Sequence, residues 1–169
     1  MKKIGFITGC LICLYTIAAH AEKPQMIGEY DDWTAFAYKE GKNTVCYMAS
    51  SAQKSEGKYN KRGEVYMVIT HRPADKTFDV VNFTAGYTYK SGAPIVVKIG
   101  KEAFTDFFAD NDKAWTMSPA ADKKLVEAMK KGERLIIDGT SAKGTLTKDY
   151  YSLKGFSAAY RAISAKCRR

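Results

Sequence analysis

The chain has 169 residues, with 27 Lys and Arg against 18 Asp and Glu, and a formal net charge of +9. At 46% hydrophobic residues it can bury a core without structural metals or a dense disulfide framework. No internal repeat or low-complexity tract is visible, which leaves a single ordinary domain as the expectation.

Met1-Lys2-Lys3 is a short basic start, residues 4–19 are an almost unbroken apolar run, and Ala19-His20-Ala21 is a small-x-small cleavage site. Together they predict a secretory signal peptide over residues 1–21, cut before Glu22. The run is short for a membrane span, and polar Glu22-Lys23-Pro24-Gln25 follows directly, so no transmembrane segment is expected after cleavage. The mature domain, residues 22–169, is then periplasmic, outer-membrane-associated or secreted. Cleavage removes Lys2 and Lys3, leaving 25 basic against 18 acidic residues and a net charge of +7. That charge suits an anionic envelope component, such as lipopolysaccharide or an acidic polymer, or a negatively charged protein; export takes the chain away from nucleic acid.

Cys10 and Cys13 leave with the signal, and only Cys46 and Cys167 remain. Two cysteines in an oxidising compartment form one disulfide, tying an early strand to the last helix. Closing a loop of about 120 residues stabilises by roughly 4–5 kcal/mol in the chain-entropy model.

The first half reads as strands. Residues 33–38 and 44–49 flank the turn Glu40-Gly41-Lys42-Asn43 and predict a hairpin. Residues 50–61 are polar and read as an exposed loop. Residues 64–70 form a strongly hydrophobic strand, and Pro73-Ala74-Asp75-Lys76 turns it into residues 77–83. There Phe78, Val80 and Asn82 face away from Asp79, Val81 and Phe83. Gly86, Gly92 and Pro94 interrupt the chain before a strand at 95–99. Gly100-Lys101-Glu102 leads into residues 103–108 as another hairpin, and Asp110-Asn111-Asp112 turns into a short strand at 114–116. Ser118 is a fair N-cap with Pro119 at the first helical position, Leu125 and Met129 lie one turn apart, and Gly132 stops that helix. Residues 134–139 and 145–147 look like a last strand pair. A second helix is expected from Ser152, with Phe156, Ala159, Tyr160 and Ile163 on one apolar stripe. The fold class is mainly β with two α-helices: an antiparallel β-sandwich or partly open barrel with a capping C-terminal helix.

Chemistry-bearing motifs are few. The mature chain has one histidine, His71, which excludes two-His zinc sites. It reads as a surface or hydrogen-bonded residue at a strand end. No G-x-S-x-G turn supports a nucleophile. Asp110-Asn111-Asp112 lacks the later Gly and Glu of a calcium loop, and residues 139–144 lack phosphate-loop spacing. No catalytic residue, cofactor or metal site is assigned. Tyr87 and Tyr89 beside a Gly-containing break, and Tyr150-Tyr151 beside Lys148, are the candidate interaction surface for a partner or carbohydrate.

Asp149-Tyr150-Tyr151-Ser152-Leu153-Lys154-Gly155-Phe156-Ser157-Ala158-Ala159, preceded by residues 139–144, resembles the C-terminal signature of the invasion-associated locus B family, exported proteins of alphaproteobacteria. Asp31-Asp32-Trp33, Val45-Cys46-Tyr47, Thr70-His71-Arg72-Pro73 and residues 125–132 fit it in order, so the resemblance spans the mature chain. In its most specific block Ser152 is expected to cap the helix, Gly155 to let the first turn approach a strand, and Phe156 to enter the core. Many members carry further cysteines after the opening tryptophan and mid-chain. Here Ala37 and residues 107–115 have none, and the Cys46–Cys167 pairing gains support. The resemblance implies a role in host-cell entry or envelope physiology, with no established enzymatic activity. The leading expectation is a non-enzymatic exported protein acting through its surface; a periplasmic binding or accessory module is second, and a hydrolase third.

Overall fold

The computed structural model describes residues 23–168; the expected signal peptide, with Cys10 and Cys13, lies outside them. Among the described residues twelve strands are arranged in two antiparallel sheets, with two α-helices and a short 3-10 helix, Pro73–Asp75. The larger sheet takes β1 (Gln25–Tyr30), β2 (Trp33–Glu40), β3 (Asn43–Ser51), β5 (Tyr66–Arg72), β6 (Thr77–Thr84), β10 (Lys113–Thr116) and β9 (Phe107–Asp110), in that spatial order. The smaller takes β4 (Lys54–Gly57), β12 (Leu146–Ser152), β11 (Arg134–Thr140), β7 (Val96–Ile99) and β8 (Glu102–Phe104).

Alternation builds the larger sheet. Trp33, Ala35 and Ala37 are buried while Thr34, Phe36 and Tyr38 are half-buried; Met67, Ile69 and His71 alternate in the same way with Val68 and Thr70. The expected split within residues 78–83 holds, with Asp79, Val81 and Phe83 inward. Helix α2 (Phe156–Lys166) packs on β1, β2 and β3, and α1 (Pro119–Lys131) on β6 and β10. Buried residues of both sheets and both helices form one cluster. Ser118 caps α1 by accepting from the Ala121 N–H at 3.2 Å. Gly132 ends that helix at φ −85°, so the left-handed stop is not used; its role is space, since a Cβ there would lie 2.5 Å from Ile99 Cγ2.

Three expectations change. The polar stretch 50–61 contains β4, whose Glu56 and Lys54 pair with Lys148 and Tyr150 of β12. Ladder pairing needs main chain rather than apolar side chains, and charged residues suit an edge strand. Residues 25–30 form β1, an edge strand of the larger sheet. The stretch 103–108 is divided between sheets, β8 ending at Phe104 and β9 starting at Phe107. Lastly, Ser152 is not the helix cap. β12 continues to Ser152, whose hydroxyl accepts from the Lys154 N–H at 3.1 Å, and α2 starts at Phe156 behind Gly155. The strand wins because Tyr151 alternates inward and Arg134 pairs with Ser152 across the sheet.

Candidate functional site

Both helices cover the inward face of the larger sheet. Its opposite face carries a second set of side chains at alternate positions, and the register aligns them across strands. Thr34, Ala49, Val68, Asn82, Trp115 and Phe108 form one row, and Phe36, Tyr47, Thr70 and Val80 the next. No charged side chain interrupts either row. Phe36 stacks on Tyr47 with ring centroids 5.0 Å apart, and Phe108 on Trp115 at 5.6 Å. Phe108 is 48% exposed and Met117, just past β10, 67%. A solvated sheet face ordinarily carries polar residues on the outward positions; a contiguous uncharged face with aromatic pairs marks an interaction surface.

One end of this face opens into a groove of about 1060 Å³, floored by Thr34, Phe36, Ala49 and Tyr66 and rimmed by Glu29, Asp31, Asp32 and Glu64. Asp31 pairs with Lys154 at 3.0 Å; among the described residues the other three carboxylates have no cation within 4 Å. The aromatic face therefore lies beside acidic groups, although the chain as a whole is basic.

The tyrosines singled out from sequence do not form one surface. Tyr151 and Tyr89 are buried, the first because β12 turns it inward, the second beside its bridge to Ser141. Burial pushes both phenols well above the usual tyrosine range. Tyr150 and Lys148 lie half-buried on the outward side of β12, where the Tyr150 hydroxyl donates to Glu56 at 3.2 Å and Lys148 lies 3.9 Å from Asp138. Tyr87 lines a different feature, a pocket of about 570 Å³ between residues 58–62 and the turn at 141–145. Arg62 forms its floor, held by a bidentate pair with Asp149 at 2.7 and 2.6 Å and by the Ala85 carbonyl at 2.6 Å.

His71 is fully buried rather than at the surface. The β5–β6 register slips beside it, and Asp79 there sits at φ 63° and points its N–H at His71 Nδ1, 3.1 Å away. With Nδ1 accepting, the ring hydrogen is on Nε2 and is directed to Ser164 Oγ at 3.2 Å. That proton arrangement is the reverse of the one a base needs to activate a serine. Among the described residues no group of three or more His, Cys, Asp or Glu is placed to hold a metal ion, and no helix is long and apolar enough to cross a membrane.

The opening tryptophan and the last helix meet as one motif. The Trp33 ring stands edge-on to Phe156 at 4.9 Å, and Gly155 lets the start of α2 approach β1, where a Cβ would lie 1.8 Å from the Tyr30 carbonyl oxygen. A family model described as invasion associated locus B (IalB) protein matches residues 33–164, from this tryptophan to the last turn of the helix. The chain belongs to the invasion-associated locus B family. No curated protein and no solved structure matches it. In this family member the Cys46–Cys167 disulfide joins β3 to the end of α2, across 121 residues of sequence, with Cys167 just beyond the matched span.

The uncharged rows were missed because single-strand reading follows buried positions. Their one sequence signal is the lack of charge at 34, 36 and 38, again at 66, 68 and 70, and again at 78, 80 and 82.

Proposed function

We propose that the protein is exported, non-enzymatic, and acts by docking a partner protein on the uncharged face of its larger sheet. The face itself carries this reading: ten aligned side chains in two rows, without a charge, on the side the helices leave open. Membership of the family and the disulfide both favour an exported chain. The groove at one end adds a preference for a partner with cationic residues flanking an apolar centre, through its acidic rim. Host-cell or envelope proteins of that chemistry are the expected partners.

Photo-crosslinking in the producing organism tests this. A benzophenone amino acid in place of Thr70 should give one discrete heavier adduct, and the same group in place of Lys123 on α1 should give none. Val68→Glu should abolish the Thr70 adduct without lowering Tm. Equal adducts from both positions, or an adduct indifferent to Val68→Glu, would remove the proposed face from consideration. An adduct of twice the chain's own mass would make the partner a second copy and overturn the heterologous reading.

A further inference from the structure

The pocket beside Arg62 shares no lining residue with the sheet face and has a different chemistry. Arg62 is not available to a ligand, because Asp149 neutralises it and both side chains are about 5% exposed. Its guanidinium lies over two rings, 5.4 Å from the centre of Tyr59 and 4.8 Å from that of Tyr87. The Tyr87 hydroxyl is tied to Thr147 Oγ1 at 2.6 Å. This wall is therefore rigid and electrically balanced.

The rim is neither. Lys58, Lys61 and Lys143 line the pocket, all exposed, and among the described residues none has a carboxylate within 4 Å. Three unmatched cations around one mouth attract an anion. Between them lie groups suited to hydroxyl-bearing ligands, with Thr88, Ser141 and Thr145 in the lining. The Ser141 turn is preset by Thr145 N–H on Ser141 Oγ at 3.1 Å and Ala142 N–H on the Thr88 carbonyl at 2.7 Å. Tyr59 supplies a partly exposed ring, and its hydroxyl donates to the Ser55 carbonyl at 3.3 Å. Gly57 leaves room for that ring, since a Cβ there would sit 2.9 Å from it.

We propose that this pocket binds an anionic saccharide, with Tyr59 against a sugar face and Lys61 and Lys143 holding its carboxylate or phosphate. The volume of about 570 Å³ is that of a small-ligand site and suits one or two sugar units. Aromatic rings and hydroxyls read the sugar, and the lysines require the charge.

Titration calorimetry on the disulfide-bonded mature chain, with trigalacturonate, glucose 6-phosphate, neutral cellotriose and inorganic phosphate, tests it. Saturable binding of trigalacturonate or of glucose 6-phosphate is expected, and which of them binds identifies the anionic group. Cellotriose and inorganic phosphate should each bind at least about tenfold more weakly, one lacking the charge and the other the sugar. Lys61→Ala/Lys143→Ala should weaken binding at least about tenfold with Tm unchanged, and separately Tyr59→Leu, which keeps an apolar cover over Arg62 but removes the ring, should weaken it at least about tenfold. Lys123→Ala/Lys124→Ala on α1 should leave it intact. No saturable binding of either charged sugar would overturn the proposal. So would equal binding of cellotriose or phosphate, or an equal loss in the α1 double variant.

Discussion

The indole N–H of Trp33 donates to the carbonyl oxygen of Ser152 at 3.0 Å, joining residues 119 apart in sequence. Through it the second strand of the larger sheet grips the last strand of the smaller one, just where the chain leaves for α2. The ring is 1% exposed and packs edge-on to Phe156. Trp33→Ala should lower unfolding free energy by about 3–5 kcal/mol. Trp33→Phe keeps most of the volume and loses the bond, and should cost less. Urea unfolding followed by circular dichroism reads both; equal costs would assign the whole loss to the hydrogen bond and none to burial of the ring.

Gly155 sits at φ 84°, where an L-residue pays about 1–2 kcal/mol for the left-handed conformation. A Cβ would also collide with the main chain of Tyr30. Gly155→Ala should therefore destabilise by clearly more than the backbone penalty alone, seen as a lowered Tm. Gly92 is a useful control: it too has positive φ, 71°, but open space around a Cβ, so Gly92→Ala should show the backbone penalty only.

Removing the Cys46–Cys167 bridge releases a closed loop of 121 residues in the unfolded chain. Cys46→Ala/Cys167→Ala should cost up to about 4–5 kcal/mol in the chain-entropy model, and reduction of the wild type should lower Tm comparably. A double variant as stable as the oxidised protein would contradict that account.

The Arg62–Asp149 pair is buried on both sides. Taking one partner away strands a charge in the interior, so Arg62→Ala or Asp149→Ala should destabilise by about 3–5 kcal/mol. Replacing both by apolar residues of similar size, Arg62→Met with Asp149→Leu, should cost less than either single change. A double-mutant cycle in urea measures the difference.

Asp122 on α1 accepts the Val81 N–H at 2.9 Å. Burial raises its pKa, outweighing the hydrogen bonds from Val81 and Thr116 that lower it. The folded state then holds this proton more tightly than the unfolded chain does. Its contribution to stability is greatest below the ordinary aspartate pKa of about 3.9 and falls as pH rises through that value to the raised one. Asp122→Asn abolishes the slope and keeps a carbonyl acceptor for Val81. Relative to wild type, the variant should gain stability as pH climbs across that window; a pH-independent difference would assign the proton elsewhere.

Residue order alone determined what depends on local spacing. The period-two pattern in residues 78–83, the Ser118 cap of the first helix, the apolar stripe of the second, and the family signature are properties of neighbours a few positions apart, and all are legible in the chain. The disulfide was legible for a different reason, because two cysteines allow one pairing. Tertiary structure alone decided the rest. Residues 54–57 are a strand only because β12 offers an open edge, and Ser152 ends a strand because Arg134 lies opposite it. The uncharged face exists only once the register sets Val68 beside Ala49 and Asn82, and Trp115 beside Phe108. The basic pocket needs residues 58–62 and 141–145 brought together, by the Arg62–Asp149 pair spanning 87 positions. Such contacts arise from buried charge pairing and ladder register acting over long sequence separations, and no local pattern encodes them.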